Sequence, residues 1–168
     1  MKNDMITQIN KTMTELSFPC DWRIQWFQRE KKLEIFLMYT IEKQPHLHAN
    51  DKYGKTNTDD TFVFEDGILI YNPLFEPFDD RHYLVTLPFD HESGMTGGLI
   101  EAFCKTLRFV AAEGHVNLKE FINSEDVKQF ELVWQQENFE STIKTLQETG
   151  RFDATIFSYP TEKKESKV

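Results

Sequence analysis

No stretch of this chain approaches the roughly 20 consecutive apolar residues that a membrane-spanning helix needs. Its start, Met1-Lys2-Asn3-Asp4, leads into amphipathic spacing rather than an apolar leader core. Cysteine is scarce: Cys20 and Cys104 stand alone, with no Cys-x-x-Cys pair and no zinc-like Cys/His spacing. A disulfide scaffold is thereby excluded, and two isolated thiols predict a soluble protein of the reducing cytoplasm. Positive charge is also short. The net charge is −9, which argues against a nucleic-acid partner and against adhesion to anionic membranes. No Gly-x-Gly-x-x-Gly, P-loop lysine, Gly-x-Ser-x-Gly or catalytic-cysteine signature occurs, and no cofactor is predicted.

Aromatic residues are plentiful. Fifteen Phe, five Tyr and three Trp in 168 residues supply the large side chains of a core and exclude a disordered chain. The negative charge is concentrated. Between Thr56 and Cys104 lie Asp59, Asp60, Glu65, Asp66, Glu76, Asp79, Asp80, Asp90, Glu92 and Glu101, opposed by Arg81 alone. That stretch accounts for the whole net charge; acids and bases elsewhere cancel.

Periodicity sets the elements. Ile6, Ile9, Met13 and Leu16 recur at helical spacing after Asn3 or Asp4 as N-cap, and Pro19 ends the run. Trp22, Ile24 and Trp26 alternate with polar residues, as do Leu33, Ile35, Leu37, Tyr39 and Ile41. Two strands of a hairpin follow from this, joined by Arg29-Glu30-Lys31-Lys32. Lys43 to Asp60 forms the longest loop. Asp66-Gly67 between two β-rich runs predicts a second hairpin turn. Asn72-Pro73 stops its outgoing strand, and Tyr83 to Leu87 gives a fifth strand.

The second half is mainly helical. A stripe of Leu99, Ile100, Phe103, Leu107, Val110 and Ala111 is capped by Thr96 and stopped by Gly114. Asn117 and Glu120 then have capping-box spacing, Ser124 offers a further cap, and Phe130, Leu132 and Trp134 alternate like a strand. A last helix carries Phe139, Ile143 and Leu146 up to Gly150, and Phe152 to Tyr159 suggests one more strand. The expected fold is α+β: an antiparallel, meander-like sheet of about five to seven strands with helices on one face. One domain spans residues 1–160, followed by a charged, disordered tail, 161–168.

Four groups could carry chemistry. His46 and His48 share one side of an extended segment and could hold a metal, although two solvated loop histidines are the ordinary reading. Asp79, Asp80 and His82 could do acid–base work if a cleft formed, Asp80 and His82 converging on a strand; a solvated turn is the commoner outcome. Gly94-Met95-Thr96-Gly97-Gly98 precedes the best helix and could cradle phosphate. It lacks the lysine and is flanked by Asp90 and Glu92, so it reads as a connection. Finally Asp59, Asp60, Asp79, Asp80, Asp90 and Glu92 could form an acidic face that recruits a basic protein segment.

Three segments carry a family likeness: Phe64-Glu65-Asp66-Gly67-Ile68-Leu69-Ile70-Tyr71-Asn72-Pro73, Tyr83-Leu84-Val85-Thr86-Leu87-Pro88-Phe89, and Phe109-Val110-Ala111-Ala112-Glu113-Gly114. In this order they resemble the bacterial family known as domain of unknown function 3013, found mainly in low-GC Gram-positive bacteria. The resemblance implies a small cytoplasmic α+β protein and brings no catalytic motif. The expected function is therefore a non-enzymatic binding or regulatory module for a basic protein segment. The alternative is a small metal-dependent or acid–base enzyme using its Asp and His residues. Oligomeric state is left open.

Overall fold

The computed structural model describes residues 4–42, 61–75, 80–123 and 130–160. Helix α1 (Met5–Leu16) starts where Asp4 accepts a hydrogen bond from the Thr7 amide at 2.8 Å. It buries Met5, Ile9 and Met13 along one face and ends at Ser17, which takes a positive φ of 56°. Strands β1 (Asp21–Phe27) and β2 (Lys32–Glu42) then form the expected hairpin, from Asp21 opposite Met38 to Phe27 opposite Lys32. Leu33, Ile35, Leu37, Tyr39 and Ile41 of β2 are all buried. Alternation places Trp22, Ile24 and Trp26 of β1 on that same face.

Strand β3 (Thr61–Tyr71) corrects the second hairpin. It runs straight through Glu65-Asp66-Gly67, pairing with β2 from Thr61 opposite Glu42 to Tyr71 opposite Lys32. Gly67 serves packing rather than turning. A Cβ there would lie 3.2 Å from the Phe36 ring and 3.5 Å from the Tyr83 ring, so the missing side chain makes room for both. With no turn at Gly67, the chain after Tyr71 must cross over. A 3₁₀ turn, Asp80–His82, leads to β4 (Val85–Pro88), which lies parallel to β3 with Val85 beside Ile68. The sheet is therefore mixed, in the order β1-β2-β3-β4. A separate two-stranded sheet pairs β5 (Met95–Thr96) with β6 (Ile156–Phe157). This replaces the single antiparallel meander of five to seven strands; the α+β class stands.

Helix α2 (Gly97–Asn123) begins with Thr96 Oγ1 accepting from the Leu99 amide at 3.3 Å, as expected of its cap. It does not stop at Gly114, and the capping-box residues Asn117 and Glu120 lie inside it. The helix continues because it packs on the sheet, which outweighs the cost of an internal glycine, about 1 kcal/mol. Tyr39 reaches up from β2 and donates its hydroxyl to the Ala111 carbonyl at 2.6 Å. A Cβ on Gly114 would lie 2.7 Å from that hydroxyl oxygen and 2.4 Å from Leu132. Residues 130–135 form no strand, against expectation, yet Leu132 is buried and Trp134 packs on the core. Helix α3 (Gln136–Glu148) gives way to Gly150, which takes a positive φ of 72°.

The core lies between α1, α2, α3 and one face of the sheet. Cys104 sits fully inside it, and burial alone pushes its thiol up to about 12. Unfolded, the same thiol ionises near its ordinary value of 9.0. Below that pH both states keep the proton. Above it the unfolded chain releases a proton that the folded chain holds, so stability falls as pH rises toward the folded value. Burial raises Tyr39 in the same direction. We expect the urea midpoint to be lower at about pH 10 than at about pH 8, and Cys104→Ala to flatten part of that slope. A midpoint unchanged between the two would contradict the assigned burial.

Candidate functional site

Asp66 stands opposite Leu37, so it belongs to the buried, helix-side row of the sheet. Its neighbour Glu65 projects from the other face, where the Arg23 guanidinium lies 3.5 Å away and over the Phe36 ring. Strand β4 joins β3 only from Ile68 onward. Beside Asp66, at the head of β4, a cleft of about 640 Å³ opens between the crossover and residues 131–132. Asp66, Arg81, His82, Tyr83 and Leu84 line one side; Glu131 and Leu132 close the other.

Each wall is held by the fold. The Gly67 amide donates to Asp66 Oδ1 at 2.9 Å, which fixes one carboxylate oxygen. The Leu84 amide donates to the Gly67 carbonyl at 2.7 Å and ties the crossover to β3. Tyr83 donates its hydroxyl to the Glu34 carboxylate on the sheet face away from the helices. Burial and that carboxylate both raise the phenol, so Tyr83 stays a neutral donor across the physiological range. Opposite, Leu132 is buried against Gly114, while Glu131 is exposed. Asp66, Glu131, His82 and Arg81 are thus the titratable and charged residues of one lining, with Tyr83. Asp66 and Glu131 are the acids of that lining.

Of the acid–base candidates, His82 is in this cleft. Asp80–His82 is a 3₁₀ turn rather than a strand, so the alternation that would have aligned Asp80 with His82 does not apply. The acids that share the cleft lining with His82 are Asp66 and Glu131. Asp79 lies outside the described residues, as do His46, His48, Asp59 and Asp60; of Asp80 only the backbone is described. Among the described residues, no three His, Cys, Asp or Glu side chains group closely enough to hold a metal.

Asp90 and Glu92 are exposed in the turn between β4 and β5. Asp90 accepts from the amides of Glu92 at 2.8 Å and Ser93 at 3.0 Å, and these bonds lower its pKa. Glu101 pairs with Lys105 at 2.8 Å on α2. The described carboxylates of the acidic stretch are therefore spread over both sheet faces, a turn and a helix. The glycine loop is closed by the chain itself. Gly97 and Gly98 donate to the carbonyls of Thr155 and Asp153, both at 2.8 Å, so those amides face protein rather than a phosphate.

Sequence reasoning passed over Asp66 by assigning it to a turn, and Glu131 because it read as the outward polar residue of an alternating strand. The one available signal for Asp66 was its position opposite an apolar residue of β2.

The family model described as protein of unknown function, DUF3013, matches residues 1–161. The chain belongs to this family. A crystal structure of a conserved protein of unknown function from Enterococcus faecalis is similar to this DUF3013 chain at 26% identity. Its TM-score is 0.81, and the match covers 96% of this chain and 97% of that one. No curated protein matches the chain. Among the described residues of this DUF3013 member, no helix is long and apolar enough to cross a membrane.

Proposed function

We propose that this protein is a small non-enzymatic binding module that takes a basic side chain of a partner protein into the cleft between Asp66 and Glu131. The observation that supports this reading is that Asp66 and Glu131, from distant parts of the chain, line one concavity. The net charge of −9 favours the encounter with a cationic segment at long range. The exposed Asp90 and Glu92 add to that field, and Asp59, Asp60, Asp79 and Asp80 enter the proposal by their charge alone. Arg81 in the same lining sets a limit, because it disfavours a run of cations and selects one that fits between the carboxylates. The same proposal places the protein in the cytoplasm, where the free thiols Cys20 and Cys104 would persist.

A lysine-rich decapeptide serves as the probe, titrated at low and at moderate salt. Asp66→Asn with Glu131→Gln should weaken binding roughly tenfold, as expected for removing desolvated charge contacts, and added salt should weaken the wild type. Absence of binding at low salt, or equal binding by the double variant, overturns the proposal.

His82 in the same lining as Asp66 and Glu131 favours a second reading, proton transfer on a bound substrate. The two readings separate on His82→Ala. A binding module keeps its affinity for the decapeptide, whereas an enzyme loses turnover.

A further inference from the structure

The four-stranded sheet has two edges, and the chain treats them differently. At one, β4 has 4 residues and ends on Pro88, which has no amide to offer a further strand. Short length and proline are the ordinary guards against edge-to-edge pairing. At the other, β1 runs for 7 residues with no proline, no lysine and no bulge in its ladder with β2. Among the described residues, β1 pairs with β2 alone, and no other backbone hydrogen bond reaches it. Alternate backbone groups of an edge strand point away from its one neighbour, so β1 carries a row of unpaired donors and acceptors. Trp22, Ile24 and Trp26, on the helix side of that row, are only partly covered.

The strand also fits itself. Trp22-Arg23-Ile24-Gln25-Trp26 reads almost the same in both directions, which is what a symmetric contact between two copies demands. We propose that β1 pairs antiparallel with the β1 strand of a second copy about a two-fold axis through Ile24, joining the two sheets into one. All 7 residues of the strand then have partners. On the helix side, Ile24 meets the partner's Ile24, and Trp22 meets the partner's Trp26. On the outer face, Arg23 stands opposite the partner's Gln25, and Asp21 opposite the partner's Phe27. Arg29, exposed in the turn two residues beyond Phe27, comes to the side of the partner's Asp21, so opposite charges meet at both ends of the ladder. The two Arg23 side chains are diagonal to one another, and each is neutralised within its own subunit by Glu65 at 3.5 Å. No like charges stand directly opposite. The Asp66–Glu131 cleft lies across the sheet from this edge, beside β3 and β4.

Sedimentation velocity from about 1 to about 200 µM protein follows the association. It is run at about 0.15 M salt, where the long-range repulsion between two copies of net charge −9 is screened. The paired edge is small, so a Kd on the order of 10 µM is expected. Gln25→Arg sets a cation opposite the partner's Arg23 at both symmetric positions and should weaken the dimer roughly fivefold; Gln25→Glu sets an anion there and should tighten it roughly fivefold. Gln25 is exposed and pairs with Glu34 of β2, so neither change touches the core. Hydrogen exchange locates the contact: amides within Asp21–Phe27 should be better protected at the high concentration than at the low one. A monomer throughout the range, a dimer whose β1 exchange is independent of concentration, or equal association by the two Gln25 variants would each overturn the proposal. None of these outcomes bears on the Asp66–Glu131 cleft.

Discussion

Gly94→Ala is expected to destabilise the protein by about 3–5 kcal/mol, a large share of a typical domain's stability. Two costs add. Gly94 has a φ of 109°, a region that side-chain-bearing residues rarely adopt, which alone costs about 1–3 kcal/mol. A Cβ there would also stand 2.1 Å from the Phe157 carbonyl oxygen and 2.8 Å from the Ser158 Cα. Both are backbone atoms, so no rotamer change relieves the clash. Strand β6 has to move, and its neighbours move with it. Met95 pairs with Phe157, and the Met5 amide donates to the Ser158 carbonyl at 2.7 Å, anchoring the start of α1. Gly150→Ala is the control. Its φ is also positive, at 72°, but nothing lies within 4 Å of an added Cβ, so it should cost only about 1 kcal/mol. Urea midpoints measure both. Equal shifts would show that the contact with Phe157 is not what forbids a side chain at Gly94.

The contrast between these glycines explains what the sequence could reveal of the fold. Asp4 as a cap, the α1 stripe and the β1–β2 hairpin were legible because each is decided within a few residues. So was the end of α3 near Gly150, where glycine meets only solvent. Gly67 and Gly114 looked the same in sequence and do the opposite. Each lets a ring or a branched side chain from a distant segment approach the backbone: Phe36 and Tyr83 at Gly67, Tyr39 and Leu132 at Gly114. A glycine that serves a long-range contact carries no local mark. Reading Gly67 as a turn then made β4 an antiparallel neighbour instead of a parallel one. Phe130, Leu132 and Trp134 alternate as a strand does, but the alternation reflects burial without a ladder.

The candidate cleft was half legible. His82 drew notice through its neighbours Asp79 and Asp80, yet the acids that share its cleft come from β3 and from the segment before α3. Asp66 is polar in a row where Leu37, Ile68 and Ile70 are buried. Such a mismatch is meaningful only once the register is known, and the register was hidden by the supposed turn. Glu131 looked like the outward polar residue of an alternating strand that does not form. Its place depends on how residues 130–135 are held.

That holding is done by rings. Phe130 packs on Phe64 at 4.8 Å and on Tyr39 at 5.8 Å, and Trp134 packs on Phe103 at 5.2 Å. Phe103 is 1% exposed and also meets Phe139 edge-on at 5.7 Å. Phe103→Ala should therefore cost about 3–5 kcal/mol through lost burial and the cavity left behind. Phe103→Leu, which retains most of the volume, should cost only about 1 kcal/mol. The effect should reach the cleft. Without Phe103, Trp134 loses its main aromatic support, and the segment carrying Glu131 has no β-ladder to hold it in place. At a temperature where Phe103→Ala remains folded, its affinity for the lysine-rich decapeptide should fall, while Phe103→Leu binds as the wild type does. If Phe103→Ala lost stability but kept full affinity, Phe130 and Leu132 alone would suffice to position Glu131, and the cleft wall would be independent of the core beneath it.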